Sequence, residues 1–161
     1  MLERRVDPGD RLGMDDPISF RRTNRSLPIA LLRARETVMG PIREMLAASG
    51  LNEQKWRILR VLDEGGPLEL THLATEACLL LPSLTRIIRP MQAEGLIARH
   101  TPPTDKRKGI VAITDKGRQV ILDHAAANRA IVADLQARFG AERLELLLDL
   151  LDALQKPDKG G

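Results

Sequence analysis

The chain has 161 residues, 43% of them apolar and 29% charged, with a formal net charge of +3. This balance excludes a disordered chain and fits one folded domain, or a small module with further helices attached. One Trp, two Phe and no Tyr leave the core to aliphatic side chains. The low aromatic content also argues against a protein that binds single-stranded nucleic acid, because such proteins stack bases on aromatic rings.

The compartment can be inferred from cysteine usage and hydropathy. Cys78 is the single cysteine, which excludes an internal disulfide framework and suits reducing surroundings. No apolar stretch approaches the length of a membrane span. Residues 1–8 carry charges where a signal peptide needs an apolar run. We therefore expect a soluble cytoplasmic protein without membrane contact.

Helical patterns begin at residue 27. Residues 1–26 lack apolar periodicity and predict a mobile arm. Residues 27–48 carry an apolar helical stripe that Gly40-Pro41 interrupts, so we expect a kink or a break there.

Two further helices are predicted after residue 51. Asn52 is a suitable N-cap for the first, and Gly65-Gly66-Pro67 ends it. Its buried face is predicted to hold Trp56, Leu59 and Leu62. An extended piece at 68–70 leads into a brief helix that buries Leu73, Ala74 and Ala77.

Residues 82–95 predict a helix with one apolar and one polar face. Pro82 suits its first position, and Gly95 suits its end. The inward face consists of Leu84, Ile87, Ile88 and Met91, and the outward face of Ser83, Thr85, Arg86 and Arg89. The second helix of a helix-turn-helix protein needs this division, because one side is anchored and the other enters the major groove. The alternative is an ordinary amphipathic helix with solvated charges.

After residue 95 the spacing of apolar residues changes from that of a helix to that of two short strands. Residues 96–99 and 110–113 read as two strands joined by a charged loop at 102–109, which predicts a two-stranded wing. Thr114 is expected to cap a long helix that Gly140 ends. That helix carries a heptad seam, a pattern typical of helix–helix contacts: Ile121, Ala125, Asn128, Val132, Leu135 and Phe139. A final amphipathic helix presents Leu144, Leu147, Leu148, Leu151 and Leu154.

Positive charge is concentrated between the predicted polar helix face and the hairpin. Residues 82–109 contain six Lys or Arg against two Asp or Glu, a net charge of +4 that exceeds that of the whole chain. Arginine reads guanine in the major groove, and a basic wing tip can enter the adjacent minor groove. The candidate DNA-binding residues are Ser83, Thr85, Arg86, Arg89, Lys106, Arg107 and Lys108. Asp105 is expected to support the wing by pairing with Arg107.

From residue 27 onwards the sequence resembles the MarR family of transcriptional regulators. The resemblance is carried by Asp105-x-Arg107 in the wing, Leu96-Ile97 after the helix, and Thr114-x-x-Gly117 at the start of the long helix. A narrower similarity to repressors of homoprotocatechuate (hydroxyphenylacetate) degradation lies in IALLRARE (29–36), QKWRI (54–58) and ACLLLPSLT (77–85). Two positions depart from the pattern. Leu81 stands where a basic residue is expected, and Pro90 predicts a local bend in the second helix.

The resemblance implies a mainly α protein with a small β-wing, a winged helix-turn-helix with N- and C-terminal dimerisation helices. It implies an arm at 1–26, a dimerisation helix at 27–50, a DNA-binding lobe at 51–114, and a connecting helix with a C-terminal dimerisation helix at 115–161. The implied function is a homodimeric repressor at a double-stranded operator, controlling aromatic catabolism. Activation instead of repression stays open.

A small aromatic carboxylate is the effector that the resemblance implies, bound between the dimer body and the DNA-binding lobes. Thr85 and Arg99 match family positions that can hold a carboxylate. We add Arg35, because an arginine can clamp a carboxylate, and Trp56, because an indole can line an aromatic pocket. A surface charge for Arg35 and a core position for Trp56 are equally good interpretations.

Other functions have weaker support. His72, His100 and His124 lack the paired spacing of metal ligands, so neither a metal nor another cofactor is expected. Cys78 is expected to be a small buried core residue, with an oxidant sensor as the alternative. No catalytic set appears, so we expect no enzyme, although hydrolysis through Ser83 or His72 is the rival hypothesis. A helical interaction module that does not bind DNA is the remaining alternative.

Overall fold

The computed structural model describes residues 22–105 and 108–156. The chain divides into two compact units, one ending at Val38 and the other beginning at Met39. A single 3₁₀ turn at Thr23–Arg25 precedes the first α-helix. The elements that follow, in chain order, are α1 (Leu27–Ala47), α2 (Glu53–Gly65), β1 (Leu68–Glu69), α3 (Leu70–Glu76), α4 (Leu81–Ala93), β2 (Ile97–His100), β3 (Ile110–Ile113), α5 (Asp115–Phe139) and α6 (Ala141–Gln155).

Helix α1 continues through its internal proline. Gly40 and Pro41 both lie within Leu27–Ala47, so a break is excluded, whereas the alternative of a kink stays a prediction. Proline removes one backbone donor and one hydrogen bond, a local loss that a helix of 21 residues tolerates here. The predicted division of the chain into an arm, a dimerisation helix, a DNA-binding lobe and a C-terminal part stays a prediction. Residues 1–21 lie outside the described part of the chain.

Helix α2 begins and ends as its sequence predicts. The Asn52 side chain accepts a hydrogen bond from the Lys55 backbone N–H at 2.9 Å, which satisfies one donor of the first turn. Gly66 follows the helix with φ +76°, a backbone conformation that favours glycine. Leu59 and Leu62 are fully buried, so this helix supplies the centre of the core.

The turn between α3 and α4 contains Cys78, which the sequence predicted to be buried. The structure places it at the surface with a left-handed φ of +52°, so that prediction is wrong. The residues on either side anchor the turn, because Ala77 and Leu84 are fully buried. Helix α4 starts one residue earlier than predicted, with Leu81 first and Pro82 second.

The wing belongs to a three-stranded antiparallel sheet with strand order β1-β3-β2. The prediction of a two-stranded wing therefore missed β1, in which Leu68 pairs with Val111 and Glu69 with Ile110. Strand β2 is shifted by one residue from its prediction, and its Ile97 pairs with Ile113 of β3. The sheet contributes its alternate side chains to the core, which also receives residues from α1 to α5.

The start of α5 is fixed against the turn that follows α4. The Thr114 hydroxyl accepts from the Gly117 N–H at 3.1 Å and donates to the Gly95 carbonyl at 2.6 Å. The Thr114 N–H donates to the Leu96 carbonyl at 3.1 Å, and the Lys116 ammonium donates to the Glu94 carbonyl at 2.8 Å. The hydrogen bond to Gly117 caps α5, and the other three connect the turn after α4 to the start of α5.

Helices α5 and α6 pack against each other and leave large apolar side chains exposed. Gly140 separates them with φ +100°, as predicted for a helix stop. Ile121 at the start of the heptad seam is buried, whereas Val132 and Phe139 further along it are exposed. The exposed leucines of α6 are Leu146, Leu147, Leu148, Leu150 and Leu154. In the described ranges, no helix combines the length and apolarity that a membrane crossing would require.

Candidate nucleic-acid interface

Helix α4 has the two faces that its sequence predicts. Its inward side chains Leu84, Ile88 and Met91 are buried, and Ile87 packs partly buried against them. On the other side, Thr85, Arg86 and Arg89 are exposed, and Ser83 is half-buried. The helix continues through Pro90, so its outward residues lie on one helix, and the local bend expected at Pro90 stays a prediction. We call these four outward residues the polar face of α4.

The two arginines of the polar face are available to a ligand. Within residues 22–105 and 108–156, neither Arg86 nor Arg89 has a hydrogen-bond or ion-pair partner. An exposed guanidinium of this kind can bind a guanine edge or a phosphate in two-pronged geometry. Thr85 differs, because its hydroxyl donates to the Leu81 carbonyl at 2.9 Å. That proton is therefore engaged within the helix, and the methyl group and both oxygen lone pairs remain for another contact.

A cavity of about 360 Å³ lies beside the polar face, between the start of α2 and α4. Lys55 on its wall forms an ion pair with Glu94 at 2.7 Å and thereby joins α2 to the end of α4. The cavity wall consists of Asn52, Gln54, Lys55, Ser83, Arg86, Ile87 and Pro90. Sequence reasoning did not include Gln54 and Lys55 in the interface, although a basic residue just after a helix N-cap is a sign that could have suggested them.

The wing carries part of the predicted basic tip. Lys106 and Arg107 lie outside the described residues, as does the predicted pairing of Asp105 with Arg107. The Lys108 N–H donates to the Asp105 carbonyl at 3.1 Å, which closes the described part of the turn. The Lys108 ammonium lies 3.7 Å from a Glu69 carboxylate oxygen, a pairing that depends on strand β1.

Arg99 on β2 lies directly over Gly109. A Cβ added to Gly109 would stand 2.6 Å from Arg99 Nε and 3.1 Å from Leu70 Cδ1, so a larger residue there would require the exposed Arg99 side chain to shift. Thr85, the other carboxylate candidate matched by position, is exposed on α4. Both groups are accessible, which a ligand role requires.

The other two effector candidates have different surroundings. The Trp56 side chain is buried to 8% exposure and packs edge-on against the His124 ring, with the ring centres 5.6 Å apart. His124 is half-buried and also contacts the Ser49 hydroxyl at 2.9 Å, so Trp56 belongs to the core and His124 covers one side of its ring. Arg35 lies in the N-terminal unit, is exposed, and forms an ion pair with Glu36 at 3.3 Å. Their roles toward a ligand stay predictions.

Residues considered for metal or redox chemistry are separate from one another. No group of three or more metal-ligating side chains occurs in the portion of the chain that the structure describes. His72 pairs with Glu76 at 3.4 Å, and His124 is engaged in the core. Cys78 is accessible at the turn between α3 and α4.

Comparisons with known proteins agree with this geometry. A model of the MarR family matches residues 51–108. The homoprotocatechuate degradative operon repressor of Escherichia coli is 37% identical over 127 residues, which are 79% of this chain and 86% of that protein. The crystal structure of the transcriptional regulator PA4135 is 38% identical with a TM-score of 0.78, and the match covers 82% of this chain and 98% of that one. NadR in complex with 4-hydroxyphenylacetate is 32% identical with a TM-score of 0.75, and the match covers 88% and 100%.

Proposed function

This chain belongs to the MarR family of transcriptional regulators, which are not enzymes, and we propose that it is a homodimeric repressor of an aromatic-catabolism operon released by a small aromatic acid. The observation that carries the proposal is the polar face of α4. It presents two exposed guanidinium groups, Arg86 and Arg89, on a helix whose opposite side is anchored in the core. This is the arrangement by which a helix-turn-helix protein reads a major groove.

The wing adds a second point of contact with the duplex. Strands β2 and β3 extend from the core next to α4, and their loop carries Lys108 together with the two basic residues 106 and 107. We expect Arg107 to enter the minor groove beside the groove occupied by α4. Major-groove contacts would supply sequence preference, and wing contacts would supply affinity and position.

Dimerisation follows from the apolar surface of α5 and α6. The leucines exposed on α6 and the exposed Val132 and Phe139 on α5 are large apolar side chains, and apolar side chains exposed in number on neighbouring helices are typical of an interaction surface. A second copy packed on these helices would bury them and present α4 twice. Two half-sites one helical turn apart, about 34–36 Å, are then required of a roughly palindromic operator.

The proposed effector is an aromatic carboxylate. One similar protein is named for repression of a homoprotocatechuate degradative operon, and another, NadR, was crystallised with 4-hydroxyphenylacetate. In this chain, Arg99 and Thr85 are the carboxylate candidates, with Arg35 and Trp56 as further candidates. Binding would favour a spacing of the two lobes that does not match two successive major grooves. The effector can release DNA only to the extent that it binds the dimer with this spacing more tightly than the dimer with the DNA-binding spacing.

Salt-dependent duplex binding tests the proposal. The full-length protein is titrated into its promoter duplex at low and moderate salt, and into a scrambled duplex of equal length. We expect a preference for the promoter and a steep loss of affinity with salt, since several phosphates are neutralised. A helical module that does not bind DNA would show neither, and that result would reject the proposal.

A variant pair assigns the binding to α4. Arg86→Ala removes one guanidinium from the polar face and is expected to cost about 1–3 kcal/mol of operator affinity. It should also reduce the difference in affinity between the operator and the scrambled duplex. Arg129→Ala removes an equally exposed charge from α5 and serves as the matched control. Equal operator affinity of Arg86→Ala and the parent would exclude that residue from the interface.

A further inference from the structure

Two large apolar side chains are exposed at the start of α4. Leu80, the residue before the helix, is 78% exposed, and Leu81, its first residue, is 41% exposed. The nine other leucines between residues 51 and 114 are all buried or half-buried. The segment that contains the winged helix-turn-helix therefore places its leucines in the core everywhere except at this one point. We call Leu80 and Leu81 the leucine tip.

The leucine tip continues the surface that carries the polar face. Leu81, Thr85 and Arg89 are spaced four residues apart, so they form one row along the helix. The hydroxyl of Thr85 donates to the Leu81 carbonyl, so its proton is not available to a ligand and its methyl group adds an apolar group to the row. The row thus begins with apolar groups and ends with a guanidinium.

The position of this row limits what can cover it. In helix-turn-helix proteins the N-terminal residues of the second helix contact base edges. The apolar group that bases present in the major groove is the 5-methyl group of thymine. A second copy of the chain is the other possible partner, but the row is continuous with Arg86 and Arg89, and two such positive surfaces repel each other.

We propose that Leu80 and Leu81 contact thymine methyl groups and make part of the operator specificity apolar. The inference rests on the proposed function, since it needs α4 in a major groove. Removing one methyl from such a contact is expected to weaken binding about fourfold. Because a homodimer presents the leucine tip twice, each half-site carries its own sensitive thymine.

Thymine-to-uracil replacement provides the test, because it removes the methyl group and leaves base pairing unchanged. The full-length protein first selects a binding duplex from a randomised library. Each thymine of the selected duplex is then replaced by deoxyuridine, one at a time, and the affinity is measured. We expect a loss of about fourfold at one or more thymines in each half-site, and little change at the others.

The same affinity measurement on variants of Leu80 and Leu81 tests whether these two residues make the thymine contacts. Leu80→Ala or Leu81→Ala should bind the thymine and uracil duplexes equally at a position where the parent distinguishes them. Leu122→Ala, a leucine 64% exposed on α5, should distinguish them as the parent does. Melting temperature and oligomeric mass are measured for every variant.

The outcomes separate this inference from the function on which it rests. If no duplex is selected, the proposed function fails. If a duplex is selected but no uracil weakens binding, only the thymine contact is overturned, whether or not the variants fold. Retained discrimination in both leucine variants overturns it too. If a leucine variant changes its oligomeric mass and no uracil weakens binding by the parent, the leucine tip belongs to a contact between copies of the chain. That result also overturns the thymine contact.

Discussion

Replacing Gly117 by Ala tests how closely α5 approaches the turn after α4. Gly117 is buried in the first turn of α5, and its N–H is held by the Thr114 hydroxyl. A Cβ at this position would stand 2.3 Å from the Leu96 carbonyl oxygen and 2.7 Å from Ile113 Cγ1. Contacts of a real Cβ essentially never fall under 3.0 Å, so the backbone at Leu96 must move away.

The magnitude follows from two opposing effects. Alanine favours a helix over glycine by about 1 kcal/mol. Overpacking a tight core costs about 1–3 kcal/mol. Here the upper end applies, because the obstructing atom belongs to the backbone and also accepts the Thr114 N–H at 3.1 Å. We therefore expect a net loss of about 2 kcal/mol, equivalent to a melting temperature lower by about 4–8 °C for a chain of this size.

Thermal unfolding followed by circular dichroism at one fixed protein concentration measures the loss. Gly65→Ala is the matched control, since it is also a helical glycine but an added Cβ would find no atom within 4 Å. That variant should melt at the parent's temperature or a few degrees above it. A Gly117→Ala protein as stable as Gly65→Ala would refute the close approach.

Three further outcomes are expected. Thr114→Ala should lower the free energy of unfolding by about 1–2 kcal/mol, whereas Thr114→Ser, which keeps both hydroxyl hydrogen bonds, should restore most of it in a denaturant titration. Arg107→Ala should weaken binding of operator and scrambled duplexes alike and reduce the salt slope by about 1, and unchanged affinity would contradict the wing contact. Arg99→Ala should blunt release of operator by an aromatic carboxylate that releases the parent protein in a mobility-shift assay, and unaltered release would remove Arg99 from the effector site.

The faces of α4 could be predicted because they depend on local periodicity. Apolar residues recurring at helical spacing identified Leu84, Ile88 and Met91 as the buried side, and the structure confirms all three. The same spacing identified the polar face by exclusion. The starts of α2 and α5 could also be predicted, because each cap, at Asn52 and Thr114, bonds to a backbone N–H only three residues further along the chain.

The extended conformation near residue 68 was predicted, but the pairing of β1 with β3 and the exposure of Cys78 could not be derived in this way. A strand of two residues has no periodicity, and its partner Val111 lies 43 positions from Leu68 along the chain, so the pairing is decided by tertiary packing. The Lys108–Glu69 contact in the candidate interface was missed for the same reason. For Cys78, the burial expected of cysteine as a residue type was overridden by a left-handed turn that directs it to the surface.

Three hydrogen bonds between the turn after α4 and the start of α5 couple the positions of the two helices. Helix α5 has 25 residues and is therefore about 37 Å long. A tilt of about 5° applied at its far end displaces α4 by about 3 Å, close to the 3.4 Å that separates successive base pairs. A rearrangement too small to disturb the core could thus move the reading surface by one base pair.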